Sequence, residues 1–108
     1  MLGRRPRGAA VAPVKIAFRP AAVADLRSAL EYYDDAKPGL EDDLIDDVDR
    51  LRQRLQTFPR SAPAVAGYDS VRRAMLRRFP YAVFYEFGES VEVLRVVHTA
   101  RHPEAWRR

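Results

Sequence analysis

Three strand-like runs follow one another in the second half of the chain, and they limit the fold more than any other feature. They span residues 71–79, 81–87 and 91–99 and are rich in Val, Phe, Tyr and Leu. A proline stands at the first join, and a glycine and a serine stand at the second. Strand-forming residues separated by turn formers predict a β-meander.

The last of these runs carries apolar residues on both of its faces. Strict alternation divides it into two sets, which are Leu94, Val96 and His98 on one face and Val91, Val93 and Val97 on the other. Helices can cover only one side of the sheet in so short a chain. We therefore expect an apolar surface on the opposite side, which is a candidate for binding a partner.

Two helices are predicted ahead of the meander. Apolar residues recur every three or four positions in residues 21–35 and again in residues 40–58, which is the period of an amphipathic helix. The short turn between them predicts an antiparallel helical hairpin. With a strand at residues 14–18 and a loop at residues 59–70, the order is β-α-α-β-β-β. This order predicts an α+β fold, in which the two-helix hairpin packs on one face of a small, mainly antiparallel four-stranded sheet.

The length and composition indicate one domain. A chain of 108 residues buries roughly two thirds of its unfolded surface. Residues 1–13 read as a flexible basic N-terminal tail, and residues 14–108 as the domain. No apolar run in the sequence approaches the roughly 20 residues that cross a bilayer, so no membrane partner is expected. The sequence contains no cysteine, which removes disulfides and thiolate-bound metals and fits a cytoplasmic location.

Charge is strongly partitioned along the chain. Residues 25–49 hold ten acidic and two basic residues, a local charge of −8. Since the whole chain carries +4, the remainder carries +12. A basic surface of this strength attracts nucleic acid, ribosomes or an acidic protein segment, and charge alone does not choose among them.

Basic and aromatic side chains collect on the first run of the meander and just after the last run. The predicted binding surface consists of Arg73, Arg77, Arg78, Tyr81, Arg101 and Trp106. Strand alternation sends Arg73 and Arg77 to one face and Arg78 to the other, so only some of them share a groove. Trp106 has two interpretations, a platform on which bases stack and an anchor that packs the C-terminus onto the sheet.

Two other patterns resemble metal-binding motifs but have simpler interpretations. His98 and His102 are four residues apart, but they straddle a strand end and no cysteine joins them, so we expect no metal site and no cofactor. The acidic run at residues 42–47 resembles a magnesium-diphosphate motif, yet the chain is too short for such enzymes. We interpret this run as a solvated acidic helix face.

Three motifs occur in order along the chain. They are Ala-x-x-Asp-Leu at residues 22–26, Arg-Arg-Phe-Pro-Tyr-x-Val-Phe-Tyr at residues 77–85, and His-x-x-Arg-x-Pro at residues 98–103. Together with the order of the elements, they resemble the RelE/ParE superfamily, the toxins of bacterial type II toxin-antitoxin systems, often described as plasmid stabilisation proteins. The resemblance covers residues 14–106.

The resemblance implies a toxin whose growth inhibition is relieved by a cognate antitoxin. That antitoxin would be ParD-like or RelB-like and would form a hetero-oligomer with the toxin. An amphipathic, acidic antitoxin segment that folds on binding would match an exposed apolar sheet face ringed by arginines. ParE-like members poison DNA gyrase, whereas RelE-like members cut mRNA in the ribosomal A site.

We expect the gyrase-directed function, because this chain departs from the pattern of the cleaving members. They usually carry a basic residue directly after the first hairpin tyrosine, where this chain has Ala82, and Met75 stands where a second base is expected. A metal-independent RNase needs a base, an acid and converging cations. If the chain is one, the candidates are Arg73, Tyr85, His98, Arg101 and His102. Outside toxins, a small basic RNA-binding or adaptor module is the remaining alternative.

Overall fold

The computed structural model describes residues 13–107, so nearly all of the predicted N-terminal tail lies outside the described residues. In chain order the elements are β1 Ile16–Phe18, α1 Pro20–Ala36, α2 Leu40–Thr57, β2 Ala64–Val65, β3 Tyr68–Met75, β4 Tyr81–Phe87, β5 Val91–His98 and a 3₁₀ helix Ala105–Arg107. Neither helix of this described region is long and apolar enough to cross a membrane.

The strands form one sheet in the order β1-β5-β4-β3-β2. β1 is parallel to β5, and every other pair is antiparallel. The predicted α+β class is confirmed. The sheet has five strands instead of four because Ala64 and Val65, inside the predicted loop, pair with Arg72 and Tyr68 of β3. Gly67 makes the tight connection, with a φ of 83° that favours glycine.

The helices cover one face of the sheet. Pro20 opens α1, where a missing N–H costs nothing, and Gly39 separates the helices with a φ of 93°. The main core lies between the helices and the sheet and includes Ala22, Ala29, Leu44, Leu51, Leu55, Val83, Tyr85, Val91 and Val93. Burial of this apolar stripe stabilises the two helices.

A register shift in β5 contradicts the predicted strict alternation. Phe84 of β4 lies opposite Arg95, whereas Tyr85 lies opposite Val93, so an extra residue is inserted at this point. Side chains after the shift therefore change face. The set packed toward the helices is Val91, Val93 and Val96, and the set on the other face is Leu94 and Val97.

β3 ends at Met75, four residues before the predicted end of the first run. The carboxylate of Asp47 in α2 accepts hydrogen bonds from the backbone N–H groups of Arg77 (3.2 Å), Arg78 (2.8 Å) and Phe79 (3.0 Å). These bonds hold the chain in a turn. Asp47 is only 2% exposed, so the interpretation of residues 42–47 as a wholly solvated face was wrong at this residue.

One edge of β5 is free beyond residue 93, because β1 pairs only with residues 91–93. An ion pair between Asp25 and Arg95 covers part of this free edge. The Asp25 carboxylate of α1 accepts hydrogen bonds from Arg95 Nε (2.7 Å), Arg95 Nη2 (2.9 Å) and the Val96 N–H (2.8 Å). Arg95 Nη1 also donates to the Ala105 carbonyl oxygen at 3.3 Å. The pair thus ties the helix, the sheet and the C-terminal segment together.

The face of the sheet opposite the helices is partly covered by the protein's own C-terminal segment. The Trp106 ring stacks on Phe84, with centroids 5.3 Å apart, and meets the Tyr68 ring edge-on at 5.0 Å. Ala105 is buried beside them. The expectation of an entirely free apolar face was therefore wrong in this part, and Trp106 takes the anchoring position.

Candidate binding cleft on the open face of the sheet

The rest of that open face forms a cleft of about 330 Å³. Its apolar floor is made by Ala82, Phe84 and Val97, whose side chains point away from the helices. One wall is residues 63–66 around β2, and the other runs from His98, the last residue of β5, to Pro103.

Two arginines give the cleft a positive rim. Arg73 enters from β3 and Arg101 from the turn after β5, and both are exposed. Neither guanidinium group lies within ion-pair distance of a carboxylate among residues 13–107. The rim therefore offers two uncompensated charges that can bind carboxylate or phosphate.

Both histidines also line the cleft, and each takes part in a local turn. His98 Nδ1 accepts the Ala100 N–H at 3.0 Å, and His102 Nδ1 accepts the Glu104 N–H at 3.1 Å. In the neutral ring, the proton then resides on Nε2. The His98 ring, however, meets the ring of core residue Tyr81 edge-on at 5.2 Å, so His102 is the histidine that can offer its Nε2–H to a ligand in the cleft.

The two tyrosines proposed from the sequence lie on the other side of the sheet. Tyr85 is fully buried, and its hydroxyl donates to the Pro59 carbonyl oxygen at 2.8 Å. Burial raises the pKa of Tyr85. Burial, with a hydrogen bond to Tyr33, raises the pKa of Tyr81 to about 12. Alternate residues of β4 face opposite sides, so Ala82 and Phe84 reach the cleft whereas the tyrosines pack against the helices.

The structure therefore divides the predicted binding surface. Arg73 and Arg101 meet in the cleft, and Trp106 lies on the same face of the sheet. Arg77 and Arg78 belong to the turn held by Asp47, where the Arg78 guanidinium is 3.5 Å from a carboxylate oxygen of Asp43. Tyr81 is part of the core.

Sequence reasoning missed several residues that shape the site. The wall at residues 63–66 was predicted only as loop, and its closeness to Arg73 follows from long-range pairing. Asp47 left a readable signal, because it lies three residues after Leu44 and four before Leu51, within the apolar stripe of α2. Within residues 13–107, no three His, Asp or Glu side chains come together in a way that could hold a metal ion.

Comparison with known proteins places this fold and cleft in a family. Residues 16–103 match the family model described as the ParE toxin of the type II toxin-antitoxin system parDE. The chain therefore belongs to the ParE toxin family and to the wider RelE/ParE superfamily of type II toxins.

A solved structure supports the same fold. It is a chain from the chromosomal ParDE toxin-antitoxin system of P. aeruginosa, which superposes with a TM-score of 0.67 at 20% sequence identity. The match covers 79% of this chain and 95% of the other. No curated protein matches the chain.

Proposed function

We propose that this toxin inhibits growth by binding DNA gyrase, without chemistry of its own. Its family membership supports a type II toxin, and the composition of the cleft supports binding rather than cleavage. An apolar floor between two unpaired arginines suits a protein surface that offers apolar side chains and carboxylates.

The observation that carries this proposal is the position of Tyr85. Metal-independent RNA cleavage needs a general base and a general acid within reach of the ribose and the leaving group. The Tyr85 hydroxyl donates to Pro59 in the core, and the Ala82 methyl group occupies the floor. The Nδ1 atoms of His98 and His102 are already occupied by backbone N–H groups. The cleft therefore offers charge but few free groups for proton transfer.

Ribosome-dependent mRNA cleavage is the second candidate, and one observation favours it. Four of the five residues proposed for an RNase line the same cleft, namely Arg73, His98, Arg101 and His102. Two guanidinium groups could stabilise a phosphorane, and an imidazole N–H could serve as the acid.

We further propose that a ParD-like antitoxin neutralises the toxin in the cytoplasm. An acidic, amphipathic antitoxin segment that orders on binding would satisfy both the cleft's apolar floor and its arginines. We expect a small antitoxin gene beside the toxin gene, and coexpression of its product should restore growth. Continued arrest in the presence of the folded product would contradict this part.

A paired assay separates the two targets. The full chain is added to a gyrase supercoiling reaction and to a cell-free translation reaction, with Arg101→Ala as the cleft variant and Arg52→Ala as the control. We expect the wild type and the control to inhibit supercoiling, the cleft variant to inhibit it less, and the mRNA to stay intact. Codon-specific cuts with unaffected supercoiling would overturn the gyrase proposal in favour of cleavage.

A further inference from the structure

A second positive site lies outside the cleft, between the C-terminal half of α2 and the turn after β3. It is a pocket of about 220 Å³. Three arginines and an exposed methionine face it together with two buried leucines and Asp47; these residues are Arg50, Arg54, Arg77, Met75, Leu51, Leu76 and Asp47. We call it the α2 pocket.

The α2 pocket has excess positive charge. No carboxylate of residues 13–107 lies within ion-pair distance of Arg50, Arg54 or Arg77. Asp47 is the one described carboxylate that lines the pocket, and both of its oxygens accept backbone N–H groups. Three cations and one buried anion leave a local charge of about +2.

Helix stability explains only part of this arrangement, because among these arginines only Arg54 lies in the last turn of α2, where the helix dipole favours a cation. Arg50 and Arg54 lie one turn apart on α2, and like charges at that spacing destabilise a helix. Arg52 of the same helix is paired, with 2.6 Å to Asp49 and a further hydrogen bond to Gln56. Arginines held unpaired around a concavity, next to one that is paired, are the pattern of an anion-binding site.

The α2 pocket and the cleft are neighbours. Met75 lines the pocket, and Arg73 lines the cleft. Both residues belong to β3 and lie opposite Ala82 and Phe84, so they share the open face, roughly 7 Å apart along the strand. The rest of the pocket lies on the helix side, since Leu51 and Leu76 belong to the helix-side core. An elongated polyanion therefore reaches Arg73 and the arginines of the pocket together by passing around the end of β3.

We propose that the α2 pocket binds the phosphodiester backbone of nucleic acid, with Arg50, Arg54 and Arg77 as the phosphate-binding residues. Phosphates repeat at every nucleotide, so a nucleic acid can place negative charge at both the α2 pocket and the cleft. An acidic peptide could do so only if its carboxylates happened to lie at matching positions. Planar guanidinium groups suit phosphate oxygens. This inference goes beyond the proposed function, because it gives the toxin its own contact with nucleic acid whichever target it inhibits.

Binding is measured by fluorescence anisotropy with three probes, namely a labelled short DNA duplex, a single-stranded RNA of the same sequence, and a poly-glutamate peptide. The proteins are the full chain, the double variant R50Q/R54Q, Arg77→Gln, and the paired control Arg52→Gln. We expect affinity for nucleic acid to fall about tenfold for each pocket arginine removed and to change little in the control. The slope of log K against log salt should become shallower by about one for each lost phosphate contact.

The DNA and RNA arms identify which nucleic acid is preferred, and binding to either supports the proposal. Unchanged affinity and salt slope in the double variant would overturn it, as would absence of wild-type binding to both nucleic acids at low salt. Preferential binding of poly-glutamate, lost in the same variants, would assign the pocket to an acidic protein segment instead. Urea unfolding establishes that each variant is folded. Neither gyrase nor antitoxin is present, so failure here leaves the proposed function intact.

Discussion

The two faces of the sheet are closed in different ways. Toward the helices, two long elements cover a continuous core. The buried Asp47 carboxylate and the partly buried Asp25 carboxylate each accept three hydrogen bonds. On the open face, a three-residue 3₁₀ helix and one tryptophan ring cover only part of the surface. The helix face therefore carries most of the stability, and the open face keeps charge and apolar surface available for a partner.

Asp47→Ala should have the largest effect on stability. It removes the acceptor of three N–H groups in a partly buried turn, so we expect the free energy of unfolding to fall by about 3 to 5 kcal/mol. Urea unfolding measures the change. The control is Asp46→Ala, an exposed neighbour on the same helix. Equal losses in the two variants would show that the turn is not held by Asp47.

Asp25→Ala tests the closure of the β5 edge. It leaves the Arg95 guanidinium and the Val96 N–H without their carboxylate, and we expect a loss of about 2 to 4 kcal/mol. The exposed pair of Arg19 and Glu92 gives the comparison, and Glu92→Ala should cost much less. If both variants lose the same stability, the partly buried pair of Asp25 and Arg95 is no more important than a surface pair.

Trp106→Ala should cost less, because this ring is only half-buried and lies on the open face. We expect a loss of about 1 to 2 kcal/mol in the free energy of unfolding from the lost stacking on Phe84 and the lost edge-on contact with Tyr68. Trp106 is the chain's single tryptophan, so fluorescence of the wild type reports its burial directly. A solvent-exposed emission maximum in the folded wild type would contradict the cover that the structure shows.

Alkaline pH should lower the free energy of unfolding by a smaller amount, through ionisation of Tyr81 on the helix face. The pKa of Tyr81 is raised to about 12, so between its ordinary value near 10 and 12 the unfolded state loses the proton while the folded state keeps it. Stability should fall by about 1 kcal/mol as the pH rises to 11. The Tyr81→Phe variant should lack this part of the pH dependence. Urea unfolding at pH 9 and pH 11, roughly one unit on either side of the ordinary tyrosine pKa, measures the change in stability for both proteins.

Arg101→Ala should change stability least, by less than about 0.5 kcal/mol, because the side chain is exposed and unpaired within residues 13–107. Its effect should be on toxicity, which we expect to drop more than in Arg52→Ala when both are expressed at the same folded level. Growth after induction measures this. Equal toxicity would place the functional surface away from the cleft.

Some features of the site could be read before the structure was known. The clustering of Arg73, His98, Arg101 and His102 was partly visible, because the last three follow one strand end. The division of Arg73 from Arg77 was not, since it depends on Asp47 ending β3 early. Strand alternation places Tyr85 on the same face as Tyr81, but only tertiary packing decides that this face lies under the helices.

By itself, the sequence determined the two helices, four of the five strands, the order of these elements and the partition of charge, because periodicity, turn residues and composition act over short distances. It also determined the family, through motifs in a fixed order. The tertiary structure alone decided the register shift in β5, the burial of Asp47, the return of Trp106 onto the open face and the meeting of Arg73 with Arg101. Each of these depends on contacts between residues far apart in the chain, and local preferences do not specify such pairings.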